Sequence, residues 1–320
     1  MGRRALGLIG MASCLMALAA VADPGQAQQR ELARVRINWF VIDVPVLVAR
    51  ARGFFTAAGI DTPITVTRSS TEQMRGIGAG TFDIGQTSFD NVLYWSAREG
   101  AAEIIAVGQT LDTALLPVFV RPEIQGWDDL KGKKLAVDAV DTAFALTLRR
   151  ILLARGLDAR RGDYELVPAG GPGQRLESMK KGETVAGILN PPVDAQATQA
   201  GMVRLLDEKY PGFVWAVNRS WAQGHRKELV GFLRAWLAGA RWAKDPANRE
   251  EALKLIAGEG KMPDAAAARF LVGVPDEGAL RLADLQSLLD IRQQFGTAPP
   301  LGTSLERYYE TSYYREARGQ

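Results

Sequence analysis

Residues Gly76–Trp95 read GIGAGTFDIGQTSFDNVLYW, and this stretch decides the fold class. A helix that begins near Thr71 is predicted to end in these glycines, because glycine commonly terminates helices. The apolar residues 82–85 predict a short strand buried between covering layers. Gln86–Ser88 is predicted as a polar loop, with Ser88 as the N-cap of the next helix. A strand that leads through such a loop into a helix is typical of an α/β protein, whose ligands bind at the carboxyl ends of strands.

The same unit occurs a second time further along the chain. Leu176–Gly182 predicts a helix with a glycine stop, and Val185–Leu189 predicts a short apolar strand. Asn190 and the prolines after it then open another helix, with Asn190 as its N-cap. Two copies of one unit predict two similar α/β lobes, each of which offers helix N-termini to a shared cleft.

The remaining segments extend this α/β pattern. Strands are predicted at residues 35–40, 64–67, 104–107, 115–120, 135–137, 164–167 and 213–217. Because helices alternate with most of these strands, mostly parallel sheets are predicted. Beyond Trp221 the chain is predicted to be helical, with an amphipathic helix at Lys227–Ala243. We expect residues 28–115 to form the first segment of lobe 1, 116–215 to form an inserted lobe 2, and 216–320 to return to lobe 1 and add C-terminal helices.

The overall composition is that of a soluble globular protein. The 320 residues exceed what one compact core usually holds, and the hydrophobic fraction is 47% with 23% charged residues. A net charge of +3 without a dense block of Lys or Arg argues against a nucleic-acid partner.

The N-terminus has the pattern of a secretory signal peptide, residues 1–27. Arg3 and Arg4 precede an apolar run that ends in small residues, and we prefer cleavage after Ala27 over cleavage after Ala22. An uncleaved membrane anchor is the alternative. The sole cysteine, Cys14, lies in this leader. The exported protein is therefore predicted to have no disulfide, no thiolate catalysis and no cysteine metal site.

With these segments in order, the chain resembles the periplasmic substrate-binding proteins of nitrate/taurine/alkanesulfonate-type ABC transporters. That family also includes binders of thiamine-pyrimidine precursors. The matching stretches are Val46–Asp61, Gly80–Gly85, Trp127–Val137, Leu176–Pro192, Glu228–Trp242 with Lys244–Pro246, and Thr311–Ala317. The resemblance implies a type II periplasmic-binding-protein fold, in which two lobes joined by two crossover strands close on a ligand by a hinge motion. It also implies docking of the loaded protein on a membrane permease.

Four loops that follow strands are expected to face the ligand: Trp39–Asp43, Gln86–Asn91, Asp138–Phe144 and Asn190–Asp194. By loop position, the predicted ligand contacts are Trp39, Asp43, Thr87, Ser88, Asp90, Thr113, Asp138, Thr142, Phe144, Asn190 and Asp194. Trp39 or Phe144 can stack on a flat ligand, and the hydroxyl and amide groups can form hydrogen bonds. The alternative for Asp43, Ser88, Thr142 and Asn190 is pure helix capping, and for Trp39 it is core packing.

The loops give two opposing indications of the ligand's charge. Helix N-termini favour an anion, since they carry partial positive charge and unpaired N–H groups. The same loops contain Asp43, Asp90, Asp138, Asp141 and Asp194 but hardly any arginine, the usual partner of sulfonates and carboxylates. We therefore expect a neutral or cationic, heteroaromatic ligand rather than a sulfonate.

Two other classes of function compete with a solute-binding protein. The same fold includes a thiamine-pyrimidine synthase and a pyrrole-polymerising deaminase, but such enzymes need reactive His or Cys residues. This chain offers only His225, which is predicted to be a surface residue. A ligand sensor that presents its ligand to a receptor is the other alternative. No metal, cofactor or nucleotide motif is found, and we expect a protein that is not an enzyme. The family resemblance implies a monomer.

Overall fold

The computed structural model describes Gly2 and residues 31–320, except Arg68, Glu99, Asp112, Pro192 and Gly212. The predicted signal peptide therefore lies, apart from Gly2, outside the described residues, as does Cys14. Residues Leu32–Gln320 form one compact unit.

The first β-sheet has five strands and belongs to the first lobe. In order across the sheet they are β4 (Ile64–Val66), β2 (Ile37–Trp39), β5 (Ile84–Ser88), β12 (Phe213–Asn218) and β6 (Ile104–Leu111). Strand β2 pairs in parallel with β4 and β5, whereas β12 is antiparallel to β5 and β6. A separate parallel pair joins β1 (Ala33–Arg34) to β3 (Ile60–Asp61).

The second sheet also has five strands and builds the second lobe. In order they are β11 (Val203–Tyr210), β7 (Ala114–Val120), β10 (Ala186–Ile188), β8 (Lys133–Val137) and β9 (Tyr164–Pro168). Strand β8 is parallel to β9 and β10, and β7 is antiparallel to β10 and β11. The chain crosses between the sheets twice, once between Leu111 and Ala114 and once between Tyr210 and Phe213. The lobe limits predicted at residues 115 and 215 stay predictions.

Two expectations about the strands were wrong, and one long strand was not predicted. The sheets are mixed rather than mostly parallel, because the strands next to the two crossings pair antiparallel. Gln86–Ser88, predicted as a loop, is the second half of β5, since its backbone pairs with β12. Strand β11 was not predicted because its sequence, VRLLDEKY, shows no clean alternation of apolar and polar residues, and only its last residue, Tyr210, is buried.

Helices cover both sheets. The first lobe contributes α1 (Val44–Ala51), α2 (Phe54–Ala57), α3 (Ser70–Gly78) and α4 (Phe89–Ser96), and the second contributes α5 (Ala143–Leu153), α6 (Pro172–Lys180) and α7 (Val193–Gln199). The predicted C-terminal helical region consists of α8 (Arg219–Gly224), α9 (Arg226–Lys244), α10 (Arg249–Gly260), α11 (Asp264–Val272), α12 (Leu282–Gln294) and α13 (Ser312–Arg318). None of the helices in the described part of the chain is long and apolar enough to span a membrane.

Two of the C-terminal helices pack against the lobes: α9 against the first lobe and α12 against both. The apolar stripe predicted on α9 is buried, and its Phe232 stacks on Phe55 with ring centroids 5.6 Å apart. Helix α12 contacts α4 of the first lobe and α5 of the second. Its leucines Leu285, Leu288 and Leu289 are buried in a cluster that contains residues of both lobes. The two lobes are thus connected by α12 as well as by the two crossings.

Candidate functional site

Asp43 lies at the start of α1, where its side chain is 3% exposed and serves as the predicted N-cap. One carboxylate oxygen accepts from Val46 N at 3.0 Å and from Trp236 Nε1 at 3.0 Å, and the other accepts from Gln86 Nε2 at 3.4 Å. Burial raises the pKa of Asp43 to about 7, and these hydrogen bonds oppose that rise. The carboxylate therefore ties α1, β5 and α9 together inside the first lobe.

Ser88 lies at the junction of the two lobes and caps α4 by accepting from Asp90 N at 3.2 Å. Its hydroxyl also forms a short hydrogen bond with the hydroxyl of Tyr210, which ends β11 in the second lobe. Burial raises the pKa of Tyr210 above its ordinary value. The Tyr210 ring contacts Phe144 edge-on at 5.8 Å. Ser88 and Phe144, predicted in different loops, are thus brought together through a tyrosine that sequence reasoning missed.

Asp90 is 2% exposed and forms a two-pronged ion pair with Arg292 of α12, at 2.6 and 2.7 Å. Burial raises the pKa of Asp90, the charge of Arg292 opposes that rise, and the nearby charges of Asp138 and Asp141 add to it. The Asp90 carboxylate itself is already fully engaged.

The loop after β8 carries the next predicted contacts. Thr142 caps α5 by accepting from Ala145 N at 3.3 Å, and its hydroxyl donates to Asp138 at 2.6 Å. Asp141 accepts a hydrogen bond of 2.7 Å from the hydroxyl of Tyr94 on α4. This loop of the second lobe is therefore linked directly to a helix of the first.

Asn190 and Asp194 lie at the start of α7. Asp194 is buried and forms an ion pair with Arg204 at 3.0 Å. Arg269 of α11 lies 3.9 Å from the same carboxylate oxygen. The side-chain oxygen of Asn190 is buried without a hydrogen-bond partner in the described structure, so the predicted capping by this side chain is wrong. The helix amides of Val193 and Asp194 instead donate to the Asn190 carbonyl.

The other three predicted contacts are scattered. Trp39 is buried in the first lobe's core, as its alternative interpretation held. Thr87 is fully buried and accepts from Asn91 Nδ2 at 2.9 Å. Thr113 is exposed beside the first crossing.

A cavity of about 200 Å³ lies where the two lobes face each other. The start of α3 and one face of α4 form its first-lobe wall, the loop after β8 forms its second-lobe wall, and α12 contributes one side chain. It is lined by Ser70, Thr71, Arg75, Asn91, Tyr94, Trp95, Arg98, Ala139, Asp141, Thr142 and Arg292. Thr142 is the only predicted contact among these residues.

The charged lining of the cavity is mainly cationic. The Arg98 guanidinium lies 4.3 Å from the Tyr94 ring centre and 4.1 Å from that of Trp95, and Arg75 lies 5.9 Å from Trp95. No ion pair of Arg75 or Arg98 occurs among the residues that the structure describes. The one carboxylate in the lining, Asp141, is engaged with Tyr94. The cavity therefore offers positive charge and aromatic surface.

The expectation of an acidic site rested on aspartates that have internal roles. Asp43, Asp90 and Asp194 are held by partners within the fold, and Asp138 and Asp141 accept from neighbouring hydroxyl groups. Arg75 and Arg98 were missed because they lie within and just beyond helices rather than in the four loops. The spacing of Tyr94, Trp95 and Arg98, three and four residues apart, is the signal that indicates a stacked arginine.

The second lobe contains a buried arginine, Arg175, close to the loop after β8. Arg175 of α6 is 2% exposed and donates to the carbonyls of Ile188 at 2.9 Å and Gly170 at 2.8 Å. Burial lowers the pKa of Arg175, while the charge of Asp138 opposes that effect. Arg175, Asp138 and Phe144 line a narrow crevice in the second lobe.

No histidine or cysteine is among the described residues that line the cavity. His225 is exposed and stacks on Trp221 with ring centroids 5.1 Å apart, outside the cavity, as predicted for a surface residue. Within the described ranges no three His, Cys, Asp or Glu residues are grouped so that they could hold a metal ion.

A family model described as NMT1/THI5 like matches residues 43–249. A curated relative, the 4-amino-5-hydroxymethyl-2-methylpyrimidine phosphate synthase of Uromyces fabae, is 23% identical over 223 residues. The match covers 64% of this chain and spans 65% of the relative's length.

Solved structures show the same fold at low sequence identity. The periplasmic nitrate-binding protein NrtA of Synechocystis PCC 6803 has a TM-score of 0.75 at 14% identity, covering 90% of this chain and 89% of its own. The alkanesulfonate-binding protein SsuA of Xanthomonas axonopodis pv. citri, bound to MOPS, has a TM-score of 0.67 at 19% identity. The match covers 84% of this chain and 95% of the SsuA chain. The expected type II periplasmic-binding-protein fold, with two lobes, two crossings and a helical C-terminal region, is confirmed.

Proposed function

The chain belongs to the NMT1/THI5-like family, and from this premise we propose that it is the solute-binding component of an ABC importer. It captures a small solute between its two lobes and delivers it to a membrane permease. The observation that carries the proposal is the cavity walled by α3 and α4 on one side and by the loop after β8 on the other. A site built from two lobes that are joined by two crossings suits capture by hinge closure.

The proposed ligand is a small anion, contrary to our expectation from the loop sequences. Arg75 and Arg98 line the cavity without an ion pair in the described structure, and Asn91 and Thr142 add hydrogen-bonding groups. The names of the similar proteins, which bind nitrate and an alkanesulfonate, support the same charge. A cavity of about 200 Å³ is below the usual range of roughly 300–1,000 Å³ for ligand pockets, which favours a compact ligand.

Binding without chemical conversion is part of the proposal. The similarity to a pyrimidine phosphate synthase favours an enzyme, but the match is 23% identical and spans 65% of that relative's length. The lone histidine lies outside the cavity lining, and the sole cysteine lies in the predicted leader. Neither reactive group that the enzyme alternative requires is therefore in place.

The cellular setting follows from the same proposal. A signal peptide at residues 1–27, cleaved after Ala27, would export the chain to the periplasm, where a monomer would meet the permease. Delivery to a permease separates this role from that of a free-standing sensor. Uptake of the identified ligand by cells that lack the gene, compared with complemented cells, distinguishes the two: a transport component restores uptake, and a sensor does not.

The direct test is a thermal-shift screen with nitrate, taurine, an alkanesulfonate, an aromatic carboxylate, a pyrimidine and a polyamine. A ligand that binds only the folded state at a hundredfold excess over its Kd stabilises it by roughly 2.7 kcal/mol. We expect a higher Tm with one of the anions. The shift should be lost in the double variant Arg75→Met/Arg98→Met.

The matched control is Arg155→Met. Arg155 stacks on Trp127 at 4.0 Å, much as Arg98 stacks on Trp95, but it lies outside the cavity lining. The control should keep the shift. Stabilisation by the polyamine alone would overturn the anionic ligand, and a product found by mass spectrometry after incubation would overturn binding without conversion.

A further inference from the structure

Arg292 joins three separate parts of the chain through one side chain. Two of its nitrogens hold Asp90 of α4 at 2.6 and 2.7 Å, and Nη2 also donates to the Asp141 carbonyl at 2.9 Å. Nη1 lies 3.3 Å from the carbonyl of Ala298, in the segment after α12. The residue is 1% exposed. A first-lobe helix, a second-lobe loop and the C-terminal segment therefore share one buried cation.

The Asp141 loop is fixed to the opposite wall by two different groups. Arg292 holds its backbone, and the hydroxyl of Tyr94 donates to its side chain at 2.7 Å. The Arg292 guanidinium also lies 4.7 Å from the Tyr94 ring centre. Both contacts line the cavity, so the position of the Asp141 loop sets the distance between the two walls.

Helix α12 provides the rigid support for this arginine. Leu285 and Leu289 are buried in the cluster shared by both lobes, and Arg149 of α5 lies 4.2 Å from the ring centre of Phe295, directly after α12. A buried arginine costs desolvation that an apolar residue would avoid. Its multiple hydrogen bonds across three segments give a reason for its presence that core packing does not.

We propose that Arg292 is a positioning residue for the ligand cavity: anchored on Asp90, it favours the closed arrangement of the lobes, in which the Asp141 loop of the second lobe lies close to α4. In this closed arrangement α12 acts as a third connection between the lobes. This inference rests on the proposed function only in taking the cavity as the ligand site, since the lobe geometry is measurable without any ligand.

The test measures the distance between the lobes in the ligand-free protein. Spin labels are placed on cysteines introduced at two exposed positions, Thr56→Cys in the first lobe and Lys181→Cys in the second. The full chain carries Cys14→Ser, which removes its sole cysteine. Pulsed electron paramagnetic resonance then gives the distance distribution. Arg292→Met should shift it to longer distances and broaden it, and Arg292→Lys should restore part of the narrow distribution.

Arg150→Met is the matched control, because it removes an ion pair of 2.8 Å with Glu208 inside the second lobe. Its distribution should match that of the parent. Tyr94→Phe, which removes only the second contact to Asp141, should give a smaller shift in the direction of Arg292→Met. If circular dichroism shows that Arg292→Met does not fold, the distance distributions of Arg292→Lys and Tyr94→Phe test the proposal instead. Distributions in these variants identical to the parent's would overturn the proposal, whatever the ligand screen finds.

Discussion

Asp43 and Asp90 are two carboxylates of the first lobe in similar positions with different partners. Each lies at the N-terminal end of a helix next to the first sheet, and they are 3% and 2% exposed. Asp43 accepts hydrogen bonds only from uncharged groups, including the Trp236 indole. Asp90 accepts from a guanidinium. The two sites show how equally buried carboxylates can be satisfied by different partners.

The difference lies in what offsets desolvation. Burial raises the pKa of Asp43 to about 7, so near neutral pH its carboxyl is partly protonated. Burial also raises the pKa of Asp90, but Arg292 opposes that rise and joins the carboxylate in an ion pair. The first site belongs to one lobe only. The second ties the lobes together and lines the cavity through Arg292.

The largest effect is expected when the ion pair loses one member. Arg292→Met leaves Asp90 buried without its cation, and such losses lower the free energy of unfolding by about 3–5 kcal/mol. Urea unfolding followed by circular dichroism measures the change. The double variant Asp90→Leu/Arg292→Met should be more stable than Arg292→Met alone, because no isolated charge remains. The ion-pair explanation would be contradicted if the double variant lost as much unfolding free energy as the single variants Asp90→Leu and Arg292→Met lose together.

A pH-dependent effect is expected at Asp43. The folded state holds a proton on this carboxyl up to about pH 7, whereas the unfolded chain releases it near its ordinary pKa of about 3.9. Stability from this group is therefore fully present at low pH and is lost as pH rises through 7. Between pH 5 and 7 the loss is about 2 kcal/mol.

Asp43→Asn provides the measurement of this effect. Asparagine is also a good N-cap, and its amide oxygen can accept from Val46 and Trp236 as the aspartate does. The Tm of the variant relative to the parent, measured from pH 5 to 7, should rise with pH. The control is Asp158→Asn, since hydrogen bonds and charge from Arg160, with the charge of Arg161, lower the pKa of this largely buried aspartate, and its variant should show no gain over this range. Parallel curves for parent and Asp43→Asn would rule out a raised pKa at Asp43.

The same pair of residues shows what the sequence could predict. Local sequence patterns were sufficient to predict much of the fold. Asp43, Ser88 and Thr142 cap helices as predicted, and the two similar strand–helix units lie in separate sheets. The cavity depends on contacts between distant segments. Asp90 and Arg292 are 202 residues apart, and no local pattern in α12 distinguishes Arg292 from a surface arginine. Counting aspartates in loops therefore overestimated the negative charge of the cleft.

The smallest effect is expected when Asp43 loses one hydrogen bond from an uncharged donor, the indole of Trp236. Trp236→Phe removes the indole N–H that donates to this carboxylate at 3.0 Å, together with some ring volume. Trp215→Phe is the matched control, because Trp215 is equally buried in the same cluster but its indole nitrogen has no partner in the described structure. The difference between the two losses of unfolding free energy should be about 1 kcal/mol, the usual net contribution of a hydrogen bond. It should grow from pH 5 to 8, since the bond is stronger once Asp43 is ionised. A difference that stays constant with pH would mean that the indole N–H makes no distinction between the two charge states, and that burial alone determines the protonation of Asp43.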